Sequence, residues 1–199
     1  MKLRISILFT VTICILLGMG LCITGCAEEK DSNSAVGTVV EEGVYHRLYV
    51  ADQLYYCEFL DHSGNVVRTE GPINKQPEIL ALEDGLIRFT MQAGTGQATQ
   101  WGYYYNAENE AFSEVFQCIW DQHEGLVAIS QSNSVIVRDI FDPQEFYQEF
   151  TAFDQPFSPA AQVFTAVRFT DDGASIEITY LSGTDYREVT ETFPIETTP

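Results

Sequence analysis

The sequence predicts an all-β fold of antiparallel hairpins, on three observations. From Val44 onward apolar residues recur with period 2, as in strands with one face toward a core. Clusters of Gly, Asp, Asn and Ser separate these runs, as tight hairpin turns require. Only one stretch, Asp142-Pro143-Gln144-Glu145, carries helix-start chemistry. Composition agrees with a folded domain. The 199 residues are 45% hydrophobic and 13% aromatic, too rich in core-forming side chains for whole-chain disorder. The 29 acidic and 10 basic residues give a formal charge of -19. Nucleic acid is excluded as a default partner, because phosphate binding needs Lys and Arg to replace counterions.

Taken in chain order, residues 1–25 read as an export signal. Lys2 and Arg4 form a basic start, an apolar run extends from Ile5 to Ile23, and small residues end it. Ile23-Thr24-Gly25-Cys26 resembles the lipobox of bacterial lipoproteins. That resemblance implies a diacylglyceryl thioether on Cys26 and cleavage before it. Two or three acyl chains anchor stably where one does not, at roughly 0.8 kcal/mol per buried CH₂. The run also approaches the ~20 residues that span a bilayer, so a retained helix competes with the lipoprotein reading, as does plain secretion. Ala27 in place of Asp after the Cys implies that export to the outer membrane is allowed in a diderm host. Residues 26–43 then read as the lipidated Cys and a flexible acidic tether, with Ala27-Glu28-Glu29-Lys30-Asp31-Ser32-Asn33-Ser34 lacking apolar periodicity. Without the basic signal the chain has 29 acids against 8 bases, a charge of -21.

Residues 44–199 read as one all-β domain. Tyr55, Cys57 and Phe59 alternate, as do Ile87, Phe89 and Met91, then Trp101, Tyr103 and Tyr105, then Ile176, Ile178 and Tyr180. Asp61–Asn65, Glu83–Gly85, Asp171–Gly173 and Ser182–Thr184 are the expected turns. After Asp142 the sequence favours a single helical turn and then a strand from about Tyr147, over a longer helix through Phe146, Phe150 and Phe153.

Spacing suggests a repeat. Segments of two to four strands begin near Val44, Glu78, Ile119 and Val163, at intervals of 34, 41 and 44 residues, near the ~40–45 residues of a four-stranded blade. Leu126–Ile129 and Val135–Ile140 parallel Thr165–Phe169 and Ile176–Tyr180. These units resemble WD40-like or TolB-like β-propeller blades, without the Gly-His and Trp-Asp signatures of WD40 repeats. The resemblance implies a partial or small propeller-like domain. A β-sandwich of meandering hairpins is the alternative.

The chemistry is sparse. His46, His62 and His123 stand at no metal-ligand spacing, and no metal or cofactor is expected. Asp61–Asn65 lacks the further acids of a calcium loop. Gly94-Thr95-Gly96-Gln97 has no Lys-Ser/Thr after it, so it is no phosphate cradle. Ser130, Ser132 and Ser134 lie in no nucleophile elbow. Cys57 and Cys118 are a candidate disulfide in an exported chain, though their apolar strand settings favour two buried thiols. The candidate ligand-binding residues are Tyr55, Tyr56, Trp101 and Tyr104. Trp101, Tyr103 and Tyr105 share one strand face and Tyr104 opposes them. An exposed aromatic rim would stack on sugars or peptides, with core packing as the competing role. The expected function is a non-catalytic binding or scaffold module, lipid-anchored outside the cytoplasm, with an envelope protein or glycan as partner. An envelope glycan or peptide hydrolase using a carboxylate pair is the alternative.

Overall fold

A computed structural model describes residues 37–151, 153 and 163–196. The signal segment, Cys26 and the tether up to residue 36 lie outside the described residues. Within them the chain is all-β and runs through four antiparallel sheets in sequence order. The first holds β1 (Thr38–Glu42), β2 (His46–Ala51), β3 (Leu54–Leu60) and β4 (Val66–Ile73). The second holds β5 (Glu78–Ala81), β6 (Leu86–Gln92) and β7 (Gln100–Asn106), with β8 (Ala111–Phe112) and β9 (Phe116–Gln117) both paired to β7. The third holds β10 (Ile119–His123), β11 (Leu126–Gln131), β12 (Ser134–Asp139) and β13 (Tyr147–Phe150). The fourth holds β14 (Phe164–Phe169), β15 (Ser175–Ser182) and β16 (Arg187–Pro194). Each is an open meander of neighbours in sequence, the expected hairpin repeat.

The sheets stack by burying faces against one another, and the core divides accordingly. Between the first and second sheets lie Leu48, Cys57, Phe59, Ile87, Phe89, Tyr103 and Tyr105. Between the second and third lie Tyr104, Phe116, Ile119, Val127 and Ile140. Between the third and fourth lie Val135, Val137, Phe164, Val167, Ile176, Ile178 and Tyr180. Strand alternation produces this division. Register pairs Phe89 with Tyr103 on the face toward the first sheet and Thr90 with Gly102 on the face toward the third. A Cβ on Gly102 would lie 2.4 Å from the Phe89 carbonyl oxygen and 3.2 Å from Cδ1 of Ile119. Its bare backbone is what lets the third sheet approach.

Three expectations change. The domain begins earlier than residue 44, because Thr38–Glu42 of the expected tether pairs with β2. This strand is exposed along nearly its whole length, so it carries no alternating pattern. The run Phe116–Trp120 is not one strand. Cys118 takes φ 53°, a left-handed conformation that turns the chain from β9 into β10. The parallel hairpins also fall out of phase, as second and third strands of the third sheet but first and second of the fourth. The turn after Asp142 forms as a single turn, with Asp142 Oδ1 accepting from the Gln144 amide at 2.8 Å, before β13 starts at Tyr147.

The last strand of the second sheet is interrupted between β8 and β9. There Ser113 completes the ladder with its side chain. Its N–H donates to the Tyr104 carbonyl at 2.9 Å, and its Oγ accepts from the Tyr104 N–H at 2.9 Å.

Candidate functional site

The four aromatic residues read as a binding rim go to three separate places. Tyr104 is fully buried between the second and third sheets, so it can meet no ligand. Burial raises its hydroxyl pKa, against the opposing pull of Arg88. Trp101 and Tyr55 pack at the margin of the core between the first and second sheets. Tyr56 lies on the opposite face of the first sheet, stacked on Tyr49 with centroids 5.3 Å apart and planes at 11°. The face assignment along β7 is as the alternation predicts. What the pattern cannot supply is the third sheet that covers Tyr104.

Cys57 and Cys118 are free thiols. Cys57 is buried in the first core layer, where burial, with Glu70, Glu41 and Glu58 adding, pushes its thiol up to about 12. Cys118 is half-buried at the link between the second and third sheets, and burial raises its pKa against a hydrogen bond from Ser130. Placement in different layers is the physical reason that the candidate disulfide is not formed.

The histidines serve local roles. His62 accepts or donates with the Tyr45 hydroxyl at Nδ1, 3.1 Å away. His123 packs on Phe169 with centroids 5.8 Å apart. His46 is buried and pairs through Nε2 with Glu41 at 3.1 Å. Among the described residues no group of three or more His, Cys, Asp or Glu could hold a metal. Asp61 closes its hairpin as expected. The Asn65 side chain donates to Oδ2 at 2.9 Å, the Ser63 and Asn65 amides donate to Oδ1 at 2.8 Å, and these bonds lower the carboxyl pKa, the Asn65 side chain foremost.

A different surface offers a site. Trp120 and Asp121 of β10 face Thr165, Ala166, Val167 and Arg168 of β14 across a shallow open groove of about 370 Å³. Asp121 fixes the two strands together. Its Oδ2 accepts from the Phe169 amide at 2.8 Å and its Oδ1 from the Gln122 amide at 3.0 Å. The Trp120 indole is oriented by its N–H, which donates to Ser130 Oγ at 2.9 Å. Arg168 is exposed and enters no ion pair among the described residues. The groove therefore offers an aromatic edge and a guanidinium with open donors, while the Thr165 hydroxyl donates to Glu188 at 2.8 Å. Each oxygen of the Asp121 carboxylate accepts one backbone N–H.

The sequence reading missed this groove because its walls are more than forty residues apart in the chain. The one local signal is a charged residue, Arg168, inside an apolar strand run. No helix among the described residues is long and apolar enough to cross a membrane.

No family model matches the chain. No curated protein matches it. Among solved structures it is similar to Hsv2 of Kluyveromyces lactis, at 7% identity and a TM-score of 0.28, over 81% of this chain and 74% of that one. A likeness at that level carries no weight for fold or function.

Proposed function

We propose that the protein is a lipid-anchored, extracytoplasmic binding module of a bacterial cell envelope, without catalytic activity of its own. The observation that carries the reading is the basic, apolar and small-residue run that ends in Ile23-Thr24-Gly25-Cys26, placed before an all-β domain. Cys26 holds the lipid and the following acidic residues keep the domain off the surface. The groove between β10 and β14 supports binding, since its size is at the lower end of the ~300–1,000 Å³ of ligand pockets. An aromatic edge beside a guanidinium suits a short glycan or a peptide segment. Asp121 holds β10 and β14 together through its bonds to backbone amides, a positioning role for this carboxylate.

Two experiments test this. In the full chain, Cys26→Ser abolishes fatty-acid labelling and moves the protein from the detergent phase to the aqueous phase. Unchanged partitioning would sink the lipid anchor. For the groove, Trp101→Phe leaves Trp120 as the lone indole. Its fluorescence then responds to soluble N-acetylglucosamine oligomers or cell-wall muropeptides, and Arg168→Ala abolishes the response. A flat titration with both ligands at millimolar concentration would remove the groove as a glycan or muropeptide site.

A further inference from the structure

The edges of the four sheets are not alike. Edge strands present unpaired N–H and C=O groups, and proteins blunt them with bulges, prolines or brevity. β1, β10 and β14 each carry a register break in their pairing. β5 and β13 have four residues each. β4 has two breaks against β3 and contains Pro72. The last strand of the second sheet is cut into β8 and β9. β16 has no register break, and its one proline, Pro194, is its last residue. It has eight residues and pairs with β15 in one unbroken register from Arg187 to Pro194.

The direction of its free groups follows from the ladder. In β15, Leu181 donates to Val163 and Ser175 accepts from Thr170, so odd-numbered residues bond away from β16. Ala174 accepts from Ile195 on the other side. Alternation then points the β15 bonds of β16 at Arg187, Val189, Glu191 and Phe193. The N–H and C=O groups of Glu188, Thr190 and Thr192 point outward. The end of this row is sealed, since Gln148 Nε2 donates to the Pro194 carbonyl at 3.1 Å. The row is flanked by exposed Glu188 and Glu191, with exposed Glu177 on the same sheet, in a chain of formal charge -19.

We propose that β16 accepts an extended, basic segment of a partner protein, which adds a fourth strand to the three-stranded sheet. Main-chain bonds to Glu188, Thr190 and Thr192 hold it, and alternate side chains select it. Lysine or arginine on the face that Glu188 shares with Thr190 and Thr192 supplies the charge complementarity, with Glu177 of β15 on that same face. A second copy of this chain would set the same carboxylates and the same net charge against each other, which opposite charges across strands avoid. Valine-sized residues on the other face meet half-buried Val189 and Phe193.

The test is amide hydrogen exchange read residue by residue, on the chain from residue 27 onward. The probe is an acetylated, amidated eight-residue peptide that alternates lysine with valine. The free protein shows protection at Val189 and Glu191 and fast exchange at Glu188, Thr190 and Thr192. The peptide slows those three amides about tenfold or more. The same peptide with glutamate for lysine leaves them fast. Thr190→Pro removes one outward donor, no main-chain bond to β15 and only the exposed hydroxyl contact with Thr179, which Thr190→Val removes alone as a control, so the melting temperature stays near that of Thr190→Val while peptide binding is lost. Glu188→Lys combined with Glu177→Lys, both on the lysine-facing side, reverses the preference toward the glutamate peptide. No change in exchange at millimolar lysine peptide overturns the proposal. So does protection of the three amides in the free protein: with dependence on protein concentration it assigns the edge to a second copy, and without it to another segment of this chain.

Discussion

The two middle sheets and the two end sheets solve different problems with the same meander. In the middle, both faces are covered. Tyr103, Tyr104 and Tyr105 are consecutive and all buried, as are Ser134 to Arg138 of β12. At the ends one face meets water. On the outward face of the first sheet, Arg47 bonds Glu42 and Glu58, each at 3.2 Å, beside the Tyr49–Tyr56 stack. On the outward face of the fourth, Thr179 bonds Thr190 at 2.9 Å and Thr165 bonds Glu188 at 2.8 Å. β15 accordingly alternates, with Ile176, Ile178 and Tyr180 buried and Glu177 exposed between them. The difference teaches that position in the row, more than strand type, decides which sequence pattern a strand carries.

The sharpest way to break this comparison is a matched pair of truncations. Tyr104→Ala opens a cavity between two covered faces and should cost about 3–5 kcal/mol in urea unfolding. Tyr56→Ala, on an end face, should cost under about 1 kcal/mol. Equal costs would mean that the faces are not distinct. Next in size is Gly102→Ala, expected to cost about 1–3 kcal/mol as overpacking, because the new methyl meets the Phe89 carbonyl and Ile119. A neutral result would show that the second and third sheets are not in close approach there.

Cys57 sharpens the contrast within one end sheet, whose inner face is dry. Burial pushes its thiol up to about 12, above the ordinary thiol value of 9.0. The folded state thus holds its proton where the unfolded state releases it. This contribution is fully present below pH 9 and declines as pH rises toward 12. Cys57→Ala should flatten that alkaline decline in stability measured by denaturant. In native protein near pH 8, a thiol reagent should label Cys118 first and Cys57 only on unfolding. The smallest effect concerns the hairpin between β2 and β3, where Asp52 and Gln53 have φ of 52° and 66°. Gln53→Gly relieves a left-handed non-glycine residue and should add about 0.5–1 kcal/mol. A melting temperature that falls would show that the Gln53 side chain has a role of its own.

The repeat was legible to the residue in places. The segments expected near Glu78 and Ile119 start where β5 and β10 start, and the one near Val163 starts one residue before β14. Turns, strand periodicity and the opposed faces of β7 were equally plain, because each is a local property of the chain. β1 was not, since a strand exposed on both sides leaves no hydrophobic trace. Cys118 was not, since an apolar run does not announce a left-handed link. The groove was least legible. Trp120 and Arg168 are brought together by the stacking of two sheets, which no window of sequence contains.

The polar outward faces have a consequence for how such a chain changes length over evolutionary time. A middle sheet is a unit of some forty residues whose two sides fit neighbours of similar build. Duplication or loss of one such unit lengthens or shortens the row, while the water-adapted terminal faces remain at its ends. The architecture can therefore count its sheets up or down in steps, without exposing a greasy face at either extremity.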